Sequence, residues 1–231
     1  MRPLSTLPLP PGEGWGEGAV LSRLARLLVL AAALLLAVPA AADLMEDVDY
    51  RVIPKQQLSD TERIEVVYFF YYGCQWCNQF EPYIGDWLKK KPVDVSFRRV
   101  PALRNSKWMT LTRAYYAYET LDLLPRLHAK TFRAFHREDV NLQSEGALFD
   151  WVAKQGVKRE RFEEVFRSEP VTSRMMESRA LTDAFEIEST PCVAVDGRYL
   201  TSSGMAGGVA QLMSVVEDLI EMVREERCAP R

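Results

Sequence analysis

The sequence predicts an α/β fold built from a β–α–β unit, a block of helices, and a β-hairpin closed by a last helix. Three observations predict it. Ile64 to Tyr72 is an unbroken β-branched and aromatic run, the pattern of a strand buried on both faces. From Ser106 to Phe185 the apolar residues follow helical spacing. Near the C-terminus, Asp196-Gly197 is a strong hairpin signal between two short strand-like runs. The 231 residues, 48% of them hydrophobic, suit one domain carrying an insertion.

In chain order the first element is a leader. Arg23 and Arg26 precede an apolar run from Leu27 to Val38, followed by Pro39 and then Ala40, Ala41 and Ala42. A basic region, a short apolar region and an Ala-x-Ala site make a secretory signal. The run falls short of the roughly 20 residues that span a bilayer. Residues 1–42 are therefore expected to be removed on export. The Pro- and Gly-rich stretch from Pro3 to Gly18 fits neither a signal nor a domain, so translation is expected to start near Val20 or Leu21.

The strand at Ile64 to Tyr72 is broken by Gly73, and Cys74 opens a helical segment through Lys90. Phe80, Ile84, Trp87 and Leu88 share one face of it, Pro82 should kink it, and Lys89, Lys90 and Lys91 suit its C-terminal dipole. Val93 to Val100 alternates as a second strand. In the helical block, Met109, Thr112, Tyr116 and Leu123 mark one helix, and Pro125 restarts the pattern toward Phe135. Ser144 precedes a helix through Gln155 that Gly156 should end, and Lys158 to Ser168 and Val171 to Phe185 read as two more. Thr190 to Val195 and Arg198 to Thr201 are the hairpin strands, and Val209 to Val223 is the closing helix.

A formal charge of −3 gives no basic excess of the kind nucleic-acid binding requires. His128 and His136 are too few for a histidine-rich metal site and read as ordinary helix residues. All four cysteines lie beyond the leader, and export would place them where disulfides persist. There, Cys74-Gln75-Trp76-Cys77 is either a redox centre or half of a metal site. Its place between a buried strand and a helix favours the redox reading. A thiolate site for zinc or an iron–sulfur cluster would need Cys192 and Cys228 as well, and these do not form a second Cys-x-x-Cys pair.

The stretch Phe69-Phe70-Tyr71-Tyr72-Gly73-Cys74-Gln75-Trp76-Cys77-Asn78-Gln79-Phe80-Glu81, with Thr190-Pro191 and the following Val193-Ala194-Val195-Asp196-Gly197-Arg198-Tyr199, resembles the DsbA family of exported thiol–disulfide oxidoreductases. The likeness covers essentially the whole mature chain, the helical block by layout more than by sequence. It implies a thioredoxin fold with an inserted all-helical domain. Residues 43–103 and 179–231 would form the thioredoxin-like part, and 104–178 the insert. It also implies a periplasmic enzyme that acts on unfolded or reduced exported proteins and is reoxidised by a DsbB-type membrane quinone reductase. No cofactor or metal is implied, and Pro191 is implied to be cis and packed against the redox pair.

A cysteine at a helix start meets backbone N–H groups without partners and the positive end of the dipole, so Cys74 should favour the thiolate, with Cys77 its buried partner. Each tenfold gain in thiolate stability is worth about 1.4 kcal/mol, or roughly 30 mV toward a stronger oxidant. The chain departs from the family in three places. Gln75 and Trp76 stand where strongly oxidising members commonly carry proline and histidine, so a milder oxidant is expected. Trp76 is either an apolar contact for unfolded chains or simple surface packing. Tyr68 stands six residues before Cys74, where many thioredoxin-fold oxidoreductases carry a buried acid. Glu81 matches an acidic family position and either shares that proton work or is an exposed helix carboxylate. Cys192 follows Pro191 directly and reads as a buried apolar thiol, with a Cys192–Cys228 disulfide or a regulatory thiol as the other readings. At Thr190, a cis bond would open the backbone to an extended substrate that adds as a strand.

The competing functions are a reductase or isomerase of the same fold, the metal module, and a substrate-binding chaperone with a vestigial pair. Isomerases dimerise through an added domain for which the mature chain has no segment, so a monomer is expected.

Overall fold

Seven consecutive buried residues, Ile64–Phe70, make β2 an interior strand of a five-stranded sheet in the order β1 (Arg51–Val52), β5 (Tyr199–Ser202), β4 (Cys192–Val195), β2 and β3 (Val95–Pro101). The computed structural model describes residues 44–54 and 62–229. The leader and the translation start lie outside the described residues. Alternation along β2 sends Val66, Tyr68 and Phe70 into one core and Val67 and Phe69 into the other. That is why the run lacks any polar rhythm. β3 (Val95–Pro101) pairs parallel with β2 after the crossover helix α1 (Gln75–Lys90). β4 (Cys192–Val195) pairs antiparallel with β2, and β5 (Tyr199–Ser202) antiparallel with β4. Asp196 and Gly197 have φ of 56° and 62°, and Arg198 N–H donates to the Val195 carbonyl, as a type I′ hairpin requires.

The edge strand β1 (Arg51–Val52) pairs with β5 and has no counterpart in the sequence reading. Two residues carry no period; the strand exists because β5 offers a free edge. The α1 helix buries Cys77, Phe80, Ile84 and Trp87 and packs on α7 (Val209–Cys228), which buries Leu212, Val216, Leu219, Ile220 and Val223. It runs continuously through Pro82. That proline sits at an exposed position, where the Asn78 carbonyl left without a donor can meet water.

Between β3 and β4 lie a short 3-10 turn (Ser106–Trp108), α2 (Met109–Thr120), α3 (Leu124–Arg137), α4 (Glu145–Lys154), α5 (Arg159–Phe166) and α6 (Glu169–Ala184). Stacked and edge-to-face contacts among Tyr118, Phe149, Phe162 and Phe166 form the centre of α2, α4 and α5. The fold is thus a thioredoxin fold with a helical insertion. The dividing line expected at 178/179 falls inside α6. There the buried Ser178 hydroxyl donates to the Pro101 carbonyl, and Leu103 N–H donates to Thr182 Oγ1 at 3.1 Å, so one helix serves both parts. Among the described residues no helix is long and apolar enough to cross a membrane.

Trp87 is 1% exposed and Trp76 55%. Trp87→Ala should cost about 3–5 kcal/mol, by lost burial and a residual cavity. Trp76→Ala should stay within about 0.5 kcal/mol. Urea unfolding of the two variants measures the contrast.

Candidate active site

The strand-to-helix junction is built by local sterics. Cys74 N–H donates to the Tyr71 carbonyl at 2.9 Å, closing a turn through Gly73. A Cβ on Gly73 would lie 2.4 Å from the Tyr71 ring, so a side chain there would displace that ring. The ring is held in place by a parallel stack on Trp108, with centroids 4.2 Å apart, and by Gln143 Nε2 donating to its hydroxyl at 2.7 Å. Cys74 is then the N-cap of α1, with extended backbone (φ −87°, ψ 118°) and its sulfur accepting from Cys77 N–H at 3.4 Å. This is the capping geometry usually filled by a serine or aspartate oxygen.

The two sulfurs are unbonded and differ in surroundings: Cys74 is partly exposed, and Cys77 is 0% exposed. The hydrogen bond from the Cys77 thiol, with Thr190 adding in the same direction, outweighs partial burial and lowers the Cys74 thiol to about 6. Burial, and then the neighbouring Cys74, push Cys77 well above the ordinary thiol range. Cys74 Sγ also lies 3.1 Å from the Thr190 carbonyl oxygen. The Thr190–Pro191 bond is cis, and Pro191 is buried while Thr190 is half-buried. The structure therefore brings Cys74, Cys77, Thr190 and Pro191 together and leaves Gln75 and Trp76 exposed on the outer turn of the helix.

Glu81 is not an exposed helix carboxylate. Its side chain is 15% exposed and lies 2.9 Å from Arg99 Nη2 and 3.1 Å from His128 Nε2. Burial pushes its carboxyl up, but His128 and Arg99 outweigh it and hold it below the ordinary range. His128 is likewise more than an ordinary helix residue. Its Nδ1 is 2.8 Å from the Tyr72 hydroxyl, whose ionisation burial pushes well above the ordinary value, so that the phenol stays protonated and can donate. His136 Nε2 lies 2.8 Å from the Tyr72 carbonyl oxygen. Sequence reasoning missed both histidines because α3 is far along the chain from Cys74, and no local spacing signals that it folds over α1. Tyr68 is 0% exposed, with its ring edge-on to Phe80.

Cys192 turns into the opposite core from Val193, as strand alternation predicts. Burial raises its thiol to about 11, and its Sγ donates to the Ser189 carbonyl at 3.1 Å. Cys228 is free and exposed at the end of α7, so the two are not joined in a disulfide. Among the described residues no three metal-ligating side chains are gathered, and the four sulfurs do not form the cluster a Cys-ligated metal module needs.

The family model described as a DSBA-like thioredoxin domain matches residues 84–219. A protein named thiol:disulfide interchange protein DsbA, from Bordetella pertussis, is 40% identical over 169 residues, covering 72% of this chain and 80% of that one. The protein of the same name from Burkholderia cepacia is 29% identical over 208 residues, covering 90% of this chain and 98% of its own. Among solved structures, Pseudomonas aeruginosa DsbA superimposes with a TM-score of 0.77 at 30% identity, covering 81% of this chain and 98% of that one.

Thiolate ultraviolet absorbance of the reduced protein should rise with a midpoint near 6, and Cys77→Ala, which removes the largest contribution, should move that midpoint up. The same ionisation ties stability to pH. Folded, Cys74 loses its proton near 6, against about 9 for an unperturbed thiol, so between those values the unfolded chain binds more protons. The reduced protein should therefore gain stability over the oxidised protein as pH rises from about 6 to about 9, and show no such gain at lower pH. Denaturant unfolding of both forms across that window tests the sign.

Proposed function

The chain belongs to the DsbA family of thiol:disulfide interchange proteins, and on that premise we propose that Cys74 and Cys77 are the redox pair that passes a disulfide to reduced, newly exported proteins. The chain is a thiol:disulfide oxidoreductase by family. The observation that carries the residue assignment is the asymmetry of the two sulfurs: one half-exposed at a helix N-cap and ionising near 6, the other buried with its thiol pushed up.

In the donating direction, a substrate thiolate attacks Cys74 Sγ. The Cys74–Cys77 bond breaks, and its electron pair leaves with Cys77. A second substrate thiolate then attacks the mixed disulfide at the substrate sulfur and expels Cys74. A thiolate stable near neutrality is both a good leaving group and a stabilised reduced state, so the direction runs toward the dithiol protein. Thr190 and Pro191 support the site, with the Thr190 backbone beside Cys74 placed to meet an extended substrate. Gln75 and Trp76 flank the mouth, and the exposed Trp76 ring is suited to an apolar stretch of an unfolded client. Glu81 supports the pair from the buried side. Residues 104–178 form the inserted domain.

The signal-like leader supports a periplasmic site of action. Repeated donation then requires a DsbB-type membrane quinone reductase to remove electrons from the dithiol.

The equilibrium of the pair with glutathione, measured in a Cys192→Ser/Cys228→Ser background, tests the direction. A pair readily reduced by millimolar glutathione mixtures is a donor. One reduced only by a much stronger dithiol is a reductase or isomerase and overturns the reading. Cys74→Ala should abolish exchange.

A further inference from the structure

Between Ile187 and Cys192 the chain passes beside Cys74 with few contacts of its own to hold it. Upstream, Ile187 N–H donates to the Thr182 carbonyl, and Arg51 Nη2 donates to the Phe185 and Glu186 carbonyls. Downstream, Cys192 opens β4, paired with Phe69 on one side and Ser202 on the other. In between, Glu188, Ser189 and Thr190 make no backbone–backbone hydrogen bond among the described residues. Two thiols reach this stretch instead, one from each core. Cys74 Sγ lies 3.1 Å from the Thr190 carbonyl oxygen, and Cys192 Sγ lies 3.1 Å from that of Ser189. We propose that Cys192 is a positioning residue of the exchange site: its thiol, by donating to the Ser189 carbonyl, holds the turn so that Thr190 stays against Cys74. This rests on Cys74 and Cys77 being the redox pair.

Three observations support this role. The donor is permanent: Cys192 is 4% exposed, and burial raises its thiol to about 11, so it keeps its hydrogen across the neutral range. Packing does not do the same work, because Ser189 is exposed and shares with Cys192 the wall of an open cavity of about 420 Å³, which Arg51, Leu200, Ser202 and Met205 also line. The turn therefore has open space behind it where a core segment would have side chains. Finally, the linkage is short. The Ser189 carbonyl and the Thr190 N–H belong to one planar peptide group, so a bond that fixes the first fixes the plane from which Thr190 starts.

Without this donor, water can solvate the Ser189 carbonyl but does not fix its direction. Thr190 would then sample positions away from Cys74. Two properties depend on where it sits: the backbone it offers to an extended substrate, and its share in lowering the Cys74 thiol. Cys192 itself faces the opposite core and exchanges no electrons, so it acts only through Thr190.

The test compares Cys192→Thr with Cys192→Val, two β-branched side chains of similar shape that suit a strand and differ in the hydroxyl donor. Three quantities are read: the half-saturating concentration of a reduced cysteine peptide in single-turnover oxidation, the pH midpoint of Cys74 thiolate absorbance, and urea unfolding. Cys192→Val should raise the half-saturating concentration about three- to tenfold, the worth of one hydrogen bond, and move the thiolate midpoint upward. Cys192→Thr should return both toward parental values. If Cys192→Val loses stability yet keeps the parental half-saturation and midpoint, the bond only stabilises the fold and the proposal is overturned. A folded Cys192→Thr that behaves like Cys192→Val overturns it as well. Should Cys192→Val fail to fold, Cys192→Ala against Cys192→Ser repeats the comparison with smaller side chains, and the same outcomes decide. Failure of the redox reading looks different, because the parental protein would then not oxidise the peptide, while the thiolate midpoint would still report on Thr190.

Discussion

Everything in this protein's site depends on two sulfurs, one helical turn apart, being held in unlike surroundings. Cys74 caps the helix, where backbone N–H groups without helical partners and the Cys77 thiol solvate negative charge. Cys77 belongs to the face of α1 that enters the core with Phe80, Ile84 and Trp87. The periodicity of one amphipathic helix therefore decides which sulfur is open to solvent and which is enclosed in the core. The Gly73 turn and the Tyr71–Trp108 stack keep the chain on that path, since a shift of one residue would take Cys74 off the N-cap and turn Cys77 about 100° away from the core face.

Around this pair the molecule has buried an unusual amount of polarity. Glu81, Arg99, His128 and Tyr72 come from α1, β3, α3 and the end of β2, and they meet beneath the helical insertion. Buried ion pairs are weak contributors to net stability, because desolvation offsets most of the attraction. What lets these groups lie together away from solvent is that each faces a partner, the carboxylate meeting both the guanidinium and the imidazole. The insertion contributes directly to this buried network, since α3 supplies both histidines.

The opposite side of the sheet is quieter. Cys192 follows the cis proline but faces the other core, and burial leaves it a poor nucleophile. The same alternation that makes β2 apolar on both faces keeps this third thiol away from the exchange chemistry. Trp76 and Gln75, on the exposed turn of α1, bring no charge to Cys74, whose thiolate is favoured chiefly by the second thiol, Thr190 and the backbone N–H groups of the helix start.

The sequence by itself determined what is local. Unbroken apolar character identified β2, helical spacing marked α1 and the insertion helices, Asp196-Gly197 fixed the hairpin turn, and Cys-x-x-Cys at a strand–helix junction pointed to the pair. Each of these signals lies within one element or one turn, so it survives in linear order. The missing parts were all products of contact between elements distant in the chain. β1 exists only because β5 offers an edge; α6 crosses the expected boundary because Ser178 and Thr182 find partners at Pro101 and Leu103. Glu81 ceased to be a surface carboxylate, and His128 an ordinary helix residue, only when α3 folded over α1. Hydrogen-bond partners, burial and the proton affinities that follow from them are properties of packing, and packing alone decided them.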